Sequence, residues 1–334
     1  MIRVEQPGLL STIQDRGRSG WQHLGITPGG VMDSYSAAVA NILVGNPPDA
    51  AVLEITLHGP RLRFESGAWL AVTGADLSPF MEGSAVPGWR PVWLPAGSRL
   101  RFGPPRSGCR AYLAVAGGFA VPPLLGSRST DLRAGFGGLE GRPLRANDVL
   151  AHYAGSLPIP DDSWRLHALN WFVAWSQELS LGGRARLRFV PGPDWTALPL
   201  SGQHALAGET YRISATSDRM GLRLEGPPLV LPSLGERLSA GVAFGTLQLP
   251  PGGQPILLGV DRQTTGGYPV LGTVASVDHP RLAQLRPGHV VHFEPIAVEE
   301  AQELNRQRAE RLRRLRASLG LRWPLSGKTH RGAP

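Results

Sequence analysis

Short stretches of alternating apolar and polar residues, separated by Gly, Pro and Asn, run through the first half of the chain. A two-residue period over short stretches is the pattern of half-buried β-strands, and the frequent turn residues favour hairpin connections. Together they predict a small antiparallel barrel. The predicted strands are Ile2–Val4, Leu9–Ile13, Val52–Leu57, Arg61–Phe64, Ala68–Val72, Pro79–Met81, Val92–Leu94, Arg99–Phe102, Ala111–Val115 and Asp148–Ala151.

A helical period interrupts this pattern once in the first half. Asp33 and Ser34 form a helix start, apolar residues follow at helical spacing, and Gly45, Asn46 and Pro47 end the segment. We expect this helix to pack against the barrel or to plug it.

The end of the chain predicts a second helix, over Val298–Leu319. Acidic residues cluster at its start and arginines at its end, which suits the helix macrodipole. A solvated surface helix is favoured over an RNA-binding arm, because the segment lacks aromatic residues for base stacking. Its apolar stripe comprises Ala301, Leu304, Leu312, Leu315 and Leu319.

The middle of the chain separates two units. Residues 157–162 read as a linker, and Trp164–Leu179 carries three tryptophans, which indicates a helix or an interface segment. Strands resume at Arg186–Val190 and continue to Phe293. The predicted division is an N-terminal barrel over 1–160, a C-terminal barrel over 161–295, and a helix with a tail over 296–334.

The two units also resemble each other in sequence. The stretch Arg110–Pro122 parallels Gln254–Pro269, and Leu124–Ser127 parallels Val270–Thr273. A duplicated barrel explains this match. The second copy carries a polar insert, Asp261–Thr265, where the first has almost none, which places the chemistry in the second half.

Composition narrows the possible functions. The single cysteine, Cys109, excludes an internal disulfide and a cysteine-based zinc site, and its strand-like surroundings predict a buried thiol. We expect a cytoplasmic protein, since there is neither a signal-like segment nor an apolar run long enough to span a membrane. Of the net charge of +8, the tail from Ala297 holds +5, so a nucleic-acid partner is not expected. The histidines stand without metal-ligand spacing, and neither a GxGxxG nor a complete P-loop is present.

The strongest candidate for chemistry is the stretch Gly253–Pro269. An apolar strand, Pro255–Val260, ends in a cluster of polar groups and glycines, as expected of a strand that delivers side chains to a site. A guanidinium suits a carboxylate or phosphate, and the glycine amides can cradle an anion. The alternative is a tight turn whose polar residues satisfy one another.

A second polar loop lies near the N-terminus. Arg16 and Arg18 alternate with glycines in Asp15–Gly20, and two such arginines can bind a carboxylate or phosphate. A solvated turn in which Asp15 pairs with Arg18 is the alternative.

These motifs carry a family resemblance. The string Asp261–Pro269, with Gly245–Pro250 and Gly253–Ile256 before it, resembles the biotin-dependent carboxyltransferase family, as do Gln6–Arg18 and Gly29–Asp33. That family includes the C subunit of bacterial 5-oxoprolinase, the KipA proteins, and the second half of the carboxyltransferase domain of urea amidolyase. The likeness runs from about Val4 to Phe293. It implies two cyclophilin-like β-barrels in a mainly β fold with a few helices.

The resemblance also implies the site. Arg219, within a Ser-x-Arg-x-Gly motif, joins Asp261 and Arg262 as an expected catalytic residue; a turn capped by Asp218 and Arg219 is the alternative. The residues expected to bind substrate are Gln248, Gln263, Thr264, Thr265, Gly266, Gly267, Tyr268, Arg16 and Arg18. No metal is expected.

Three functions follow from the family. The first is the C subunit of an ATP-dependent 5-oxoprolinase, which would cleave 5-oxo-L-proline to L-glutamate with a KipI-like B subunit and an A subunit, the ATP being bound by or shared with these partners. The second is a carboxyltransferase half that acts on urea or a similar amide with carboxybiotin, although no biotin-attachment Met-Lys pair exists and the chain carries no covalent biotin. The third is a KipA-like regulator that binds a KipI-like kinase inhibitor.

Overall fold

The computed structural model describes residues 1–174, 182–232 and 238–322, with side chains described up to residue 320. Strands dominate both halves, so the predicted mainly β fold is confirmed. No helix in these ranges is long and apolar enough to cross a membrane.

The first half divides its strands between two six-stranded sheets, where the sequence predicted one small barrel. One sheet has the order β11-β1-β4-β9-β6-β7 and the other β12-β8-β5-β10-β3-β2. Apolar residues from both sheets meet in one buried core. The strands are β1 (Ile2–Gln6), β2 (Leu10–Gln14), β3 (Val52–Thr56), β4 (Arg61–Phe64), β5 (Ala68–Asp76), β6 (Pro79–Met81), β7 (Ser84–Ala85), β8 (Val92–Leu94), β9 (Arg99–Phe102), β10 (Ser107–Val115), β11 (Val149–Leu150) and β12 (His167–Ala168).

The second half forms a closed barrel with the order β13-β20-β17-β18-β15-β14-β21. The first and last strands, β13 and β21, close it through a parallel pairing. A separate two-stranded sheet, β16 with β19, lies beside the barrel. The strands are β13 (Arg184–Pro191), β14 (Thr210–Ile213), β15 (Gly221–Glu225), β16 (Ala240–Gly241), β17 (Thr246–Gln248), β18 (Ile256–Leu258), β19 (Thr265–Gly266), β20 (Val270–Val274) and β21 (Val290–Pro295).

Four α-helices accompany the sheets in the described ranges: α1 (Ser34–Leu43), α2 (Leu200–Gly208), α3 (His279–Ala283) and α4 (Val298–Arg322). The predicted start of α1 is confirmed, because the Asp33 carboxylate accepts a hydrogen bond of 2.8 Å from the Ser36 amide, as an N-cap should. Nearly every residue of α1 is buried, since the helix packs against the second sheet of the first half on one side and against α4 on the other.

The position of α4 differs from the prediction of a solvated surface helix. Its predicted apolar stripe exists, but the helix is not simply a solvated surface element. Leu312, Leu315 and Leu319 pack against the core around α1, and Ala301 and Leu304 pack against a small cluster beside the barrel. Helix α4 therefore touches both halves of the molecule.

The tryptophan-rich segment is not helical where it is described. Residues 164–174 contain only the short strand β12, which pairs with β8. The remainder of the predicted segment, 175–179, lies outside the described residues. Trp171 and Val173 pack against the core around α1, so the segment covers this half of the molecule.

A polar seam joins the two halves. Gln284, which is fully buried at the end of α3, accepts hydrogen bonds from the amides of Cys109 and Arg110 and donates one to the Arg110 carbonyl. The Arg110 guanidinium in turn donates to the Ala283 carbonyl at 2.7 Å. Cys109 is buried in strand β10, as predicted.

Candidate functional site

Arg219 is only 5% exposed and contacts residues of both halves. Its Nε donates to Asp261 Oδ2 at 2.7 Å, and one Nη2 contact reaches Asp261 Oδ1 at 3.2 Å. The other terminal nitrogen, Nη1, donates to Glu54 Oε1, and Nη2 also donates to the Gly30 carbonyl at 2.7 Å. We call the ion-paired set Glu54–Arg219–Asp261 the brace, because it ties the first half to the second.

The brace determines what Arg219 can do. Burial lowers its pKa, but Glu54 and Asp261 outweigh that effect and raise the pKa above its ordinary value. Nearly all of its donors are engaged within the protein. Arg219 therefore positions Asp261 and the Gly30 backbone, and Asp218 separately serves the turn, accepting from the amides of Met220 and Gly221.

Glu54 is the member of the brace that sequence reasoning missed. It lies in strand β3 between Leu53 and Ile55, its side chain is 1% exposed, and its second oxygen accepts a hydrogen bond of 2.8 Å from the Met32 amide. The signal in the sequence was a carboxylate among the apolar residues of this strand. A charged side chain is rarely buried unless it has partners, so such a residue indicates an ion pair.

The segment that follows β18 approaches Arg219 very closely. The amide of Asp261 donates to the Arg219 carbonyl at 3.1 Å, and that of Gly259 donates to the Met220 carbonyl at 2.8 Å. A Cβ on Gly259 would overlap the Arg219 carbonyl oxygen, so glycine is required by the close contact between the two backbones. Asp261 thus turns inward, with its side chain 16% exposed.

Arg262 points the other way. It is 8% exposed, and its guanidinium donates only to backbone carbonyls, those of Val242 at 3.1 Å and Gly259 at 3.3 Å. Burial lowers its pKa, and the nearby Asp261 opposes that shift. Its own carbonyl accepts a hydrogen bond of 2.8 Å from Thr27, which fixes the residue against the first half.

The N-terminal loop is not the solvated turn that was the alternative interpretation. Asp15 accepts hydrogen bonds from the hydroxyls of Ser127 and Ser129 and from the Arg128 amide, without a hydrogen bond to Arg18. Arg18 is 1% exposed and donates from Nη2 to the Ser129 carbonyl.

The guanidinium of Arg18 stacks over Phe136, 4.7 Å from the ring centroid. Its Nε and Nη1 are buried without a hydrogen-bond partner. Nη1 and Asp261 Oδ1 both lie 3.7 Å from the position that a Cβ on Gly29 would take. Arg18 therefore reaches the region of the brace from the N-terminal side, while Arg16 on the same loop is exposed.

A cleft of about 700 Å³ opens between these elements. The N-terminal loop and the segment around Gly29 form one wall, α1 another, and Val260 with Arg262 a third; Phe244 and His279 of the barrel half and the inward face of α4 complete it. Burial, with smaller contributions from Arg308 and Arg262, lowers the pKa of His279 to about 4. His279 is therefore neutral at pH 7 and lies beside the Phe244 ring, 4.1 Å between centroids.

The remaining predicted residues fall elsewhere. Gln248 is 1% exposed on β17, and its Nε2 lacks a hydrogen-bond partner where it faces Gly266. Gly267 and the 47% exposed Tyr268 line a separate hollow of about 500 Å³ that is bounded by prolines and leucines. Neither Gly266 nor Gly267 adopts a positive φ, and Gly266 pairs in the β16–β19 sheet.

The structure thus separates the predicted site into two groups. Arg16, Arg18, Arg219, Asp261 and Arg262 gather around the brace and the cleft. Gln263, Thr264 and Thr265 connect this group to the hollow: the Thr264 carbonyl accepts from the Val242 amide at 3.1 Å, and Thr265 pairs with Gly241. Among the described residues no group of His, Cys, Asp and Glu could hold a metal ion.

The sequence matches a known family over most of its length. Residues 24–295 match the carboxyltransferase domain, subdomains A and B. The chain belongs to the carboxyltransferase domain family. Parts of the motifs that suggested this family, in the N-terminal loop, around Gly29 and directly after β18, line the cleft.

Relatives of this carboxyltransferase domain protein are parts of enzymes. It is 39% identical to the C subunit of 5-oxoprolinase from Escherichia coli over 90% of this chain and 93% of the relative, and 35% identical to the corresponding 5-oxoprolinase subunit of Haemophilus influenzae over 92% and 95%. Among solved structures, the urea amidolyase of K. lactis matches with a TM-score of 0.85 and 28% identity, covering 94% of this chain and 20% of that one. The first two relatives are, by name, components of a multi-subunit enzyme.

The carboxyltransferase match ends before α4, which the sequence predicted as a helix but did not connect with a site. Four of its polar residues, Asn305, Arg308, Arg313 and Arg316, line the cleft together with the exposed Asp49. The spacing of these arginines was the signal in the sequence. Arg313 and Arg316 are three residues apart and Arg308 and Arg316 are eight apart, so the members of each pair fall near one face of a helix.

Proposed function

We propose that this chain is the C subunit of an ATP-dependent 5-oxoprolinase, which converts 5-oxo-L-proline to L-glutamate together with the A and B subunits. The identity to two such proteins over almost their whole length supports this assignment. We further propose that the cleft takes part in binding the small-molecule substrate.

One observation carries the proposal about the cleft. Arg262 is buried at the cleft wall, and within the described ranges it has carbonyl partners only, without a hydrogen-bonded acid. The proposed substrate has a carboxylate and a lactam carbonyl, which both accept hydrogen bonds from a guanidinium. Binding of a carboxylate or carbonyl group of the substrate would give the buried guanidinium of Arg262 a partner besides the two backbone carbonyls.

The chemistry gives the other residues their roles. An unstrained lactam resists hydrolysis. Transfer of the γ-phosphoryl group of ATP to the carbonyl oxygen would release ADP and make the ring carbon open to attack by water. Departure of the ring nitrogen as the amine would leave an acyl phosphate, and a second water would hydrolyse it to glutamate and inorganic phosphate. Donors fixed near that oxygen stabilise the developing charge, and Arg262 is a buried donor in the cleft wall. Arg219 holds Asp261 and Gly30 in place, and Arg18 supports the loop that carries Arg16 to the cleft.

Partners complete the proposed enzyme. The B subunit, which is KipI-like, and the A subunit would bind ATP or share its binding with this chain, and the reaction would take place in the cytoplasm. The separate hollow beside Tyr268 belongs to the same motif, so we expect Gln248, Gln263, Thr264, Thr265, Gly266, Gly267 and Tyr268 to act with the partner proteins and not at the cleft itself.

Reconstitution tests the proposal. The three proteins are purified separately, mixed, and assayed for glutamate formed from 5-oxoproline with and without ATP. We expect turnover that requires ATP and all three proteins. Full turnover in the mixture that lacks this chain would refute the assignment.

A second function is favoured by the fold match to a urea amidolyase. In this alternative the chain would be half of a carboxyltransferase that acts on urea or a similar amide, with carboxybiotin delivered by a partner. Carboxylation of urea by a reconstituted complex with a biotinylated carrier, in place of ATP-dependent lactam hydrolysis, would identify it.

A further inference from the structure

Helix α4 lies outside the region that matches the carboxyltransferase domain, yet it forms a wall of the cleft. The match ends at residue 295 and the helix begins at Val298. Leu312, Leu315 and Leu319 attach the helix to the core around α1. The polar face between these contacts is therefore held over the cleft.

The walls of the cleft carry an excess of positive charge. Arg308, Arg313 and Arg316 of α4 lie across from Arg16 and Arg262, against two acidic residues in the lining. One of these acids, Asp15, already accepts hydrogen bonds from two serine hydroxyls and an amide, and the other, Asp49, is exposed.

Several of these cations have no acidic partner among the described residues, and two of them, Arg16 and Arg316, are exposed. The side chains of Arg16 and Arg316 make no hydrogen bond or ion pair with the described part of the chain. Arg262 has carbonyl partners only, whereas Arg313 pairs with Glu310 at 2.7 Å. Burial is the main cause of the lowered pKa of His279 in the cleft wall, and Arg308 and Arg262 add to it.

We propose that the cleft is a phosphate-binding site whose cationic wall is supplied by α4, and that it takes the phosphate group of a nucleoside triphosphate or of a phosphorylated substrate. A single carboxylate is satisfied by one guanidinium fork, so five arginines around one cleft match a group of higher charge. The identity of the molecule that brings the phosphate group rests on the proposed function, in which ATP and a phosphorylated lactam take part. The assignment of a phosphate-binding site to the cleft does not rest on that function.

Direct binding tests this inference on the full-length chain. Inorganic tripolyphosphate, ATP and adenosine are titrated separately by calorimetry at constant ionic strength. We expect tripolyphosphate and ATP to bind and adenosine not to bind. Tighter binding of ATP than of tripolyphosphate assigns the site to the nucleotide, and equal binding assigns it to the phosphate group alone, as a phosphorylated substrate would require.

Variants locate the site. Arg16→Gln and Arg316→Gln remove the two cations without protein partners, and we expect each to weaken tripolyphosphate binding about tenfold. Arg314→Gln is the matched control, since Arg314 lies on α4, pairs with Glu310 and is absent from the cleft lining. Equal weakening by all three variants, or no binding of either phosphate compound by the wild-type chain, would overturn the inference.

Kinetics separate this inference from the proposed function. In the reconstituted enzyme, Arg316→Gln should raise the KM for ATP and leave stability unchanged. Absence of lactam hydrolysis together with site-specific phosphate binding would reject the proposed function and keep the phosphate site. Normal kinetics of Arg316→Gln in an active enzyme would reject the phosphate site alone.

Discussion

Arg219 and Arg262 are two buried arginines close to one another, and they have opposite environments. Arg219 is 5% exposed and meets two carboxylates; Arg262 is 8% exposed and meets only carbonyl oxygens. The acids raise the pKa of the first above its ordinary value, whereas burial lowers the pKa of the second. A cation that forms ion pairs within the fold serves the structure, and a cation that is hydrogen-bonded only to carbonyl groups is available to a ligand.

The largest expected effect comes from removing each cation in turn. Arg219→Met leaves Glu54 and Asp261 without their partner, and we expect it to lower the free energy of unfolding by about 3–5 kcal/mol. Arg262→Met removes only carbonyl contacts and a desolvated charge, so we expect a loss of about 1 kcal/mol. Urea unfolding followed by circular dichroism measures both, and equal losses would contradict the comparison.

The acid side of the brace gives a smaller effect. Glu54→Gln leaves Arg219 with Asp261 as its one carboxylate, and we expect a loss of about 2–3 kcal/mol because the site is fully buried. The control is Glu65→Gln, which breaks an exposed ion pair with Arg3 and should cost less than about 1 kcal/mol. If the two variants unfold at the same urea concentration, the brace is not what joins the halves.

The proposed contact between Arg262 and the substrate can be tested with a substitution that keeps the positive charge. Arg262→Lys keeps the cation but removes the planar fork, so we expect the kcat/KM for 5-oxoproline of the reconstituted enzyme to fall about tenfold. Arg3→Lys, at an exposed ion pair, provides the control and should be unchanged. A full rate for Arg262→Lys would show that substrate does not meet this guanidinium.

The last prediction concerns pH. His279 has a pKa of about 4 in the folded protein and about 6.5 when unfolded, so protonation favours the unfolded chain between these values. The free energy of unfolding should fall as the pH is lowered from 6.5 to 4, by at most about 1.4 kcal/mol per pH unit from this residue. His279→Asn should flatten this part of the pH profile relative to the wild type, and an unchanged slope would contradict the assignment.

Local pattern predicted many of the strands. Arg61–Phe64, Pro79–Met81, Val92–Leu94 and Arg99–Phe102 match residue for residue, because alternation and turn residues are properties of neighbouring positions. The start of α1 was predicted for the same reason, from its capping residue.

The site was harder to predict, because its contacts are distant in sequence. Glu54 and Arg219 are 165 positions apart, and no local pattern shows that they pair. The same holds for the division of the Asp261–Pro269 motif between a cleft and a separate hollow. Gly266 pairs with Ala240 of β16, and that pairing depends on a segment more than twenty residues upstream.

The closure of the barrel by its first and last strands has a consequence for biosynthesis. Strands β1 and β11 pair within the first 150 residues, so the N-terminal half has its strand partners early in translation, apart from β12. Strand β13 instead waits for β21, which ends at Pro295, before the ring can close. The nascent chain therefore presents an unclosed sheet edge for more than a hundred codons, and α4, which is translated next, arrives as the ring becomes complete.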